Sequence, residues 1–260
     1  MYGILTHASL ALLAFASGTA SAENAPVKPD SAVIAAIADT DRPAADREED
    51  ARRKPAAVLA LLGVEPGMRV IDVFSAGGWY TELLSRAVGP QGEVIAYNNP
   101  PYARYAEKAI AERYAAGRLR NVRQVTATLE DLELPPASLD AALFVMSYHD
   151  LYWRPSDGSW PPTDPAVLLA KLHAALKPGA VVVVQDHVAA TDGDTSKLVG
   201  ELHRIHPSVV RRDFERAGFA FEAESEVLAR KDDDHTKPVF DPAIRGKSDQ
   251  FVYRFRRPGP

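Results

Sequence analysis

Two pairs of titratable side chains follow apolar runs of the sequence, and each pair joins a histidine to an aspartate. His149 and Asp150 come after the apolar run 139–146, and Asp186 and His187 come after four consecutive valines. Imidazole and carboxylate groups can act as a general base with an orienting partner, or they can bind a divalent metal. They can also form structural hydrogen bonds that hold loops to the core. These four residues are the candidate catalytic residues, and no spacing among them fixes a set of metal ligands.

A segment of small residues separates another apolar run from a helical pattern. It covers 70–81 and reads VIDVFSAGGWYT. Small residues at such a turn let the backbone approach a ligand closely, and an acid at the end of a strand can accept hydrogen bonds from a cofactor. Asp72, Ala76, Gly77 and Gly78 are therefore candidate cofactor contacts. A tight strand-to-helix turn also favours glycine, so this motif has a purely structural explanation as well.

Alternating strands and helices must position these side chains. Apolar runs predict strands and amphipathic patterns predict helices between them: strands 68–74, 94–97, 122–126, 139–146, 180–185, 219–224 and 250–256, and helices 79–88, 102–116, 165–176 and 207–217. Unbroken apolar runs are typical of parallel strands that are covered on both faces. Alternation implies right-handed crossovers, and ligands of such sheets bind beyond the carboxyl ends of the strands. We expect an α/β, Rossmann-like fold, with both candidate groups at one crevice.

Two long connections follow predicted strands. The aromatic loop (147–164) holds Tyr148, Tyr152 and Trp153 among prolines, and the charged loop (228–249) is rich in ionic residues. Loops of this length in a compact domain are usually functional or disordered, and their composition favours lids over a site. The aromatic side chains can wall a substrate pocket or can equally form the core of a lid.

The charged loop contains a cationic pair, Arg245 and Lys247. The pair could hold a carboxylate or phosphate of a substrate. An ion pair with the acids 232–234 of the same loop is the favoured alternative.

Composition limits the function classes. The 260 residues carry a net charge of -5 and no strongly basic stretch, which argues against non-specific nucleic-acid binding and does not exclude a small anionic substrate. We expect a small-molecule acceptor and no nucleic-acid partner. There is no cysteine, which excludes disulfides, thiolate zinc sites and a lipidated cysteine.

The first 22 residues contain no Lys, Arg, Asp or Glu. Their apolar run, 10–16, precedes an Ala-Ser-Ala cleavage pattern at 20–22. We expect a signal peptide over 1–22 and a periplasmic or secreted protein without a stable membrane anchor, because the run is too short to span a bilayer. A linker and helical extension over 23–55 and a single domain over 56–260 complete the predicted organisation.

The segment 70–81 resembles the first motif of the class I S-adenosylmethionine-dependent methyltransferases, roughly Asp-x-Gly-x-Gly-x-Gly. Asp72 and Gly78 match this motif, whereas Phe74 and Ala76 replace two of its glycines. Three more segments are similar to a group of bacterial predicted methyltransferases with signal peptides, whose acceptor is unassigned: 148–153, 202–205 and 244–251. The resemblance implies the class I methyltransferase fold, with a mostly parallel seven-stranded sheet and helices on both faces, and S-adenosylmethionine as the cofactor.

Two other cofactor positions depart from the family's pattern. The second strand, which usually ends in an acid that binds the ribose, ends here at Asn98. The third motif has Thr128 at the usual acid position, followed by Leu129, although Glu130 or Asp131 could substitute. The resemblance implies Asn98, Thr128 and Leu129 as further cofactor contacts.

The sequence thus predicts an exported S-adenosylmethionine-dependent methyltransferase that acts on a small or medium oxygen or nitrogen nucleophile. The alternative is a protein that keeps this fold without methyl transfer and uses its His/Asp cluster as a metal or ligand site, since a fold does not dictate its chemistry.

Overall fold

A computed structural model describes residues 28–259 of the chain. The predicted signal peptide and the first part of the predicted linker lie outside these residues. Seven strands form one sheet, in chain order β1 Arg69–Val73, β2 Glu93–Asn98, β3 Val122–Thr126, β4 Leu139–Val145, β5 Leu176–His187, β6 Ala220–Ser225 and β7 Gln250–Arg256.

The strand order across the sheet is β3-β2-β1-β4-β5-β7-β6. The first five strands of this order are parallel, and β7 runs antiparallel to both of its neighbours, β5 and β6. The predicted seven-stranded, mostly parallel sheet is confirmed. The carboxyl ends of β1, β4 and β5 therefore meet at one edge of the sheet.

Ten α-helices occur within residues 28–259: α1 Ser31–Ala38, α2 Ala44–Glu48, α3 Asp50–Arg53, α4 Pro55–Leu62, α5 Trp79–Val88, α6 Pro100–Tyr105, α7 Glu107–Arg113, α8 Pro165–Ala175, α9 Thr195–Leu202 and α10 Pro207–Arg216. Two short 3-10 segments, Ala115–Gly117 and His149–Tyr152, complete the helical structure of this part of the chain.

The hydrophobic core lies on both faces of the sheet. Side chains alternate between the faces of a strand, so the four valines of β5 divide into two pairs. Val182 and Val184 pack with α8 and α10, whereas Val181 and Val183 pack with α1, α4 and α5. Because helices cover both faces, β5 must be apolar throughout, which explains its unbroken valine run.

One predicted helix is interrupted. The pattern predicted a continuous helix over 102–116, but the structure has α6 and α7 separated at Ala106, where φ is -97° and ψ is 7°. Asn99 and the two following prolines start α6 earlier than predicted, because the Asn99 side chain accepts a hydrogen bond from the Tyr102 amide. Tyr102 of α6 stacks on Phe74, the residue that directly follows β1.

The helices before residue 56 pack onto the sheet rather than standing apart from it. Val33 and Ala36 of α1 are buried in the same cluster as α4 and α5. Arg113 of α7 forms ion pairs with Asp46 of α2 and with Glu82 of α5. The extension is thereby fixed beside the turn 74–78 that joins β1 to α5, called the glycine-rich turn below.

No helix within 28–259 combines the length and the apolar character that crossing a membrane would need.

Candidate active site

A cavity of about 1120 Å³ opens at the carboxyl ends of β1, β4 and β5. The glycine-rich turn, the aromatic loop and the charged loop contribute to its walls. Both candidate groups meet there, and the predicted residues that line it are Asp72, Ala76, Gly77, Gly78, His149, Asp150 and His187. Asp186, Asn98, Thr128 and Leu129 lie outside its lining.

His149 is held by Asp186 at two points. The His149 Nδ1 atom lies 2.7 Å from Asp186 Oδ1, and the His149 amide donates a hydrogen bond of 2.9 Å to Asp186 Oδ2. Both residues are buried, and Asp186 also accepts a hydrogen bond from the His187 amide. Asp186 is therefore a positioning residue that fixes the orientation of the imidazole without facing the cavity itself.

The environment of His149 favours its protonated form. Burial by itself lowers the pKa of this imidazole, but the negative charges of Asp150 and Asp186 and the hydrogen bond that the ring donates to Asp186 raise it to about 9. At neutral pH the ring is then an imidazolium, which donates hydrogen bonds. A base role for His149, as the sequence suggested, requires a pH near or above this value.

Asp150 links His149 to a tyrosine that the sequence did not single out. Asp150 Oδ1 lies 3.5 Å from His149 Nε2, and its other oxygen accepts a short hydrogen bond from the Tyr102 hydroxyl. Tyr102 lines the cavity, and burial raises the pKa of its hydroxyl well above the usual value. The asparagine cap of α6 is the only sequence signal for its position, because the partner lies 48 residues away along the chain.

His187 lies beside His149, with ring centroids 6.1 Å apart, but differs from it in charge. Its Nδ1 atom lies 2.8 Å from the Ser248 hydroxyl of the charged loop. Burial lowers the pKa of His187 to about 3, and the nearby His149 contributes in the same direction. A neutral His187 thus connects β5 to the charged loop, while His149 carries the positive charge of the cluster.

Three further histidines divide between the site and the scaffold. His203 lies 5.7 Å from His149 by ring centroids and lines the cavity. His206 caps α10, and His235 contacts Asp249 at 2.9 Å within the charged loop.

Asp72 is buried at the base of the glycine-rich turn. Burial raises the pKa of its carboxyl group to about 7, although the Thr81 hydroxyl, which donates a hydrogen bond of 2.6 Å, acts in the opposite direction. Burial makes an unpaired carboxylate charge costly. The buried Asp72 carboxylate is therefore suited to bind a cationic group of a ligand.

The turn itself adopts left-handed backbone conformations at non-glycine positions. The φ angles of Phe74 and Ala76 are 55° and 47°. The resembled motif has glycine at both positions, and glycine adopts this conformation without steric cost. The turn therefore keeps the backbone path of a glycine-rich loop with larger side chains.

The ring of Phe74 is 3% exposed and packs in an aromatic cluster. It stacks on Tyr102 at 5.1 Å and meets Trp160 edge-on at 6.4 Å. The three aromatic side chains line the cavity together with Ala76, Gly77 and Gly78 of the turn.

Asn98 serves the turn rather than the cavity. Its Oδ1 atom accepts a hydrogen bond from the Ala76 amide, and its Nδ2 atom donates to the Ser75 hydroxyl and the Ala76 carbonyl, at 2.9, 3.2 and 3.2 Å. Both N–H groups of the amide are used, so this side chain has no donor left for a ribose.

The third-motif residues are also away from the cavity. The Thr128 hydroxyl donates to Asp131 and accepts a hydrogen bond from its amide. Leu129 is 6% exposed and packs in the core beside α8. The structure thus does not bring Thr128 and Leu129 together with the glycine-rich turn at the cavity.

The aromatic loop divides between core and cavity. The hydroxyls of Tyr148 and Tyr152 both donate hydrogen bonds to Asp213 of α10, at 3.0 and 2.5 Å, which anchors the loop to the domain. Trp153 and Trp160 line the cavity instead.

The charged loop is anchored by a buried ion pair outside the predicted set. Arg204 is fully buried and lies 2.9 Å from Asp233, and it also donates hydrogen bonds to the carbonyls of Lys237 and Val188. The favoured interpretation of Arg245 and Lys247 is wrong: Asp233 is bound to Arg204, and within 28–259 neither cation lies within ion-pair distance of a carboxylate. Both cations line the cavity.

Among the described residues, no group of three or more histidine, aspartate or glutamate side chains is placed to share a metal ion. The pairing of His149 with Asp186 and of His187 with Ser248 uses both Nδ1 atoms within the protein.

The comparisons with known proteins agree with this fold. Residues 71–184 match the family model described as a methyltransferase domain. The described chain has the fold of the class I methyltransferases, and this segment is similar to that family. The matched segment begins in β1, contains the glycine-rich turn and His149, and ends in β5.

Relatives and solved structures carry the same fold. The tRNA (adenine(58)-N(1))-methyltransferase TrmI of Thermus thermophilus is 36% identical over 85 residues, which are 32% of this chain and 32% of that protein. The C-methyltransferase UbiE of Teredinibacter turnerae, of ubiquinone and menaquinone biosynthesis, is 23% identical over 62% of this chain and 71% of that protein. A crystal structure of an S-adenosylmethionine-dependent methyltransferase from Aquifex aeolicus superimposes with a TM-score of 0.56 at 21% identity, covering 82% of this chain and 94% of that one. The chain spans about a third of TrmI, so the match reports a shared domain.

The cavity residues fit the superfamily's cofactor, S-adenosylmethionine, at two of its parts. The buried Asp72 suits the ammonium group of the amino-acid end, and Arg52 and Arg53 of α3 line the same region. The aromatic wall of Phe74, Tyr102 and Trp160 suits an adenine by stacking. The ribose has no partner in Asn98, which lies outside the lining of the cavity.

Proposed function

We propose that this protein transfers a methyl group from S-adenosylmethionine to an oxygen or nitrogen atom of a small or medium acceptor. One observation carries the proposal: the glycine-rich turn with its buried Asp72, and the buried His149–Asp186 pair, open into one cavity at the carboxyl edge of the sheet. The superfamily and fold support the same reaction class.

The cofactor supplies a methyl group that is already activated as a sulfonium. The protein's contribution is to bind it, to exclude water and to align the acceptor. Asp72 and the backbone of Ala76, Gly77 and Gly78 would hold the amino-acid end. The aromatic loop and the charged loop both line the cavity, and we expect them to limit the access of water.

His149 and Asp150 would contact the acceptor. The Nδ1 side of His149 is bound to Asp186, so Nε2 is the nitrogen that can donate a hydrogen bond to an acceptor oxygen or nitrogen. An O–H or N–H acceptor loses a proton on methylation. With His149 already protonated, Asp150 is the carboxylate beside it that can take this proton.

Calorimetric titration with S-adenosylhomocysteine tests the cofactor half of the proposal. We expect binding to the wild-type protein and to His149→Gln, since His149 is assigned to the acceptor. Loss of the turn's carboxylate in Asp72→Ala should remove binding. Absence of binding to the folded wild-type protein would overturn methyl transfer and leave only the architecture.

A second candidate is a fold member that binds a ligand without methyl transfer. The observation in its favour is Asn98, which replaces the ribose-binding acid and is bound to the turn. Two results together would support this candidate. The protein would bind a small acid equally with and without S-adenosylhomocysteine, and it would form no S-adenosylhomocysteine from S-adenosylmethionine.

We also propose that the chain is exported, on the basis of the predicted signal peptide over 1–22. A reporter active only outside the cytoplasm, fused after residue 30, tests this prediction. Activity of the fusion supports export. Activity that persists after residues 2–22 are deleted would contradict it.

A further inference from the structure

The cavity carries a charge opposite to that of the whole protein. The chain has a net charge of -5. Six arginine and lysine side chains line the cavity in addition to His149: Arg52, Arg53, Arg104, Arg113, Arg245 and Lys247. The carboxylates that line it are Glu49, Asp72 and Asp150. A concave surface lined by one sign of charge raises the local concentration of ligands of the opposite sign.

Half of these cations have partners within the protein. Arg52 and Arg53 both pair with Glu49, the latter at 3.5 Å. Arg113 pairs with Asp46 and with Glu82, and its Nε atom donates to the Gly77 carbonyl. These contacts fix α3 and α7 against the glycine-rich turn.

The other three cations have no such partner. Within residues 28–259, no carboxylate lies within ion-pair distance of Arg104, Arg245 or Lys247. Arg245 and Lys247 are exposed at the cavity and stand two positions apart, on either side of Gly246. Two neighbouring acids of their own loop are engaged elsewhere, since Asp233 binds Arg204 and Asp234 accepts hydrogen bonds from Thr236.

Apolar surface lies next to these cations. Phe240 of the charged loop is 57% exposed and Tyr105 at the end of α6 is 86% exposed, and both line the cavity. Exposed aromatic side chains at the wall of a cavity provide contact area for an apolar or aromatic part of a ligand. Trp153 and Trp160 continue this aromatic surface toward His149.

Resting on the proposed function, we infer that the methyl acceptor is an organic acid with an aromatic or apolar body, whose carboxylate or phosphate group is bound by Arg245 and Lys247. The aromatic walls hold the body of the molecule, and the nucleophilic atom faces His149 and Asp150. Arginine and lysine bind either acid group through charge-assisted hydrogen bonds. The cationic pair thus selects acceptors by charge, while the reaction takes place deeper in the cavity.

Tryptophan fluorescence reports on this site directly. The sequence contains three tryptophans, and all three, Trp79, Trp153 and Trp160, line the cavity. The probes are phenylacetate and phenyl phosphate as acids and phenylethanol as the neutral analogue, each titrated into the full chain without cofactor. We expect at least one acid to bind about tenfold more tightly than phenylethanol, because one charge-assisted contact provides a difference of that order.

The double variant Arg245→Gln/Lys247→Gln removes both cations. We expect it to lose the preference for the acid and to keep its weak binding of phenylethanol. The matched control is Lys231→Gln/Lys237→Gln, which makes the same change of charge at exposed positions of the same loop that do not line the cavity. The control should bind like the wild type.

Titration with S-adenosylhomocysteine separates this inference from the proposed function. If Arg245→Gln/Lys247→Gln lost affinity for S-adenosylhomocysteine, the two cations would hold the cofactor's own carboxylate and the inference would be overturned. Equal binding of the acids and phenylethanol by the wild type would overturn it as well. Failure of the wild type to bind S-adenosylhomocysteine, with the acid preference intact, would remove methyl transfer and leave an acid-binding cavity.

Discussion

His149 and Asp186 form a buried pair in which the imidazole Nδ1 lies 2.7 Å from a carboxylate oxygen of a different strand end. The charged histidine lies in the 3-10 segment that follows β4, and its counter-ion lies at the end of β5. It leaves Nε2 as the reactive face of the ring.

This pair predicts a pH-dependent stability. The folded pKa of His149, about 9, lies above the ordinary value of 6.5, so protonated His149 stabilises the fold fully below pH 6.5 and this stabilisation is lost as the pH rises through about 9. Urea unfolding across this range should show the free energy of unfolding of the wild type falling by a few kcal/mol relative to His149→Gln. A constant difference between the two proteins would contradict the ion pair.

Asp72 predicts a conflict between stability and ligand binding. Its folded pKa, about 7, lies above the ordinary value of 3.8, so the folded state loses stability as the pH rises from 3.8 to about 7 and stays penalised above it. Asp72→Asn removes this penalty, and we expect a higher Tm than the wild type at pH 8 but little difference at pH 4. The same variant should bind S-adenosylhomocysteine more weakly in calorimetry. A variant that is destabilised at pH 8 would show that the carboxylate is a structural requirement.

Neighbouring positions of the glycine-rich turn should respond oppositely to glycine and alanine. Ala76 has a φ of 47°, and this conformation costs a non-glycine residue about 1–2 kcal/mol. Ala76→Gly removes this cost but raises the conformational entropy of the unfolded chain, so we expect a net stabilisation of up to about 1 kcal/mol. Gly77→Ala should destabilise by about 1–3 kcal/mol, because the new Cβ would lie 2.7 Å from Ala109 Cβ. Chemical denaturation measures both, and the same sign for both variants would contradict this backbone geometry.

We expect the charged loop to be held in place by the buried ion pair between Arg204 and Asp233. Arg204→Ala leaves Asp233 buried without its cation, which costs about 3–5 kcal/mol. The control Lys197→Ala, in an exposed pair on the preceding helix, should cost less than about 0.5 kcal/mol. Urea unfolding gives both values. Limited proteolysis should cut Arg204→Ala first within 228–249, and an unchanged cleavage pattern would show that the loop is held by other contacts.

The strand-helix order and the location of the site were predictable from local patterns. An apolar run such as the four valines of β5 is buried wherever it occurs, and the end of a parallel strand is where the chain must turn. That is why Asp72, His149 and His187 could be assigned to one crevice from the order of the elements alone. The interruption of the helix at Ala106 could not, because it depends on how α6 and α7 pack against the turn rather than on helix propensity.

The amino-acid sequence by itself determined the sheet, the class of fold and the residue types available at its carboxyl edge, because burial and periodicity act over a few neighbouring residues. Only the tertiary structure decided which polar groups form hydrogen bonds or ion pairs within the protein and which remain available to a ligand. Asn98 is bound by the turn and Asp186 by His149, whereas Arg245 and Lys247 keep no protein partner within the described residues. A hydrogen bond or an ion pair forms over a few ångströms between residues far apart in the chain, so the charge of His149 and the cationic cavity wall emerge only after folding.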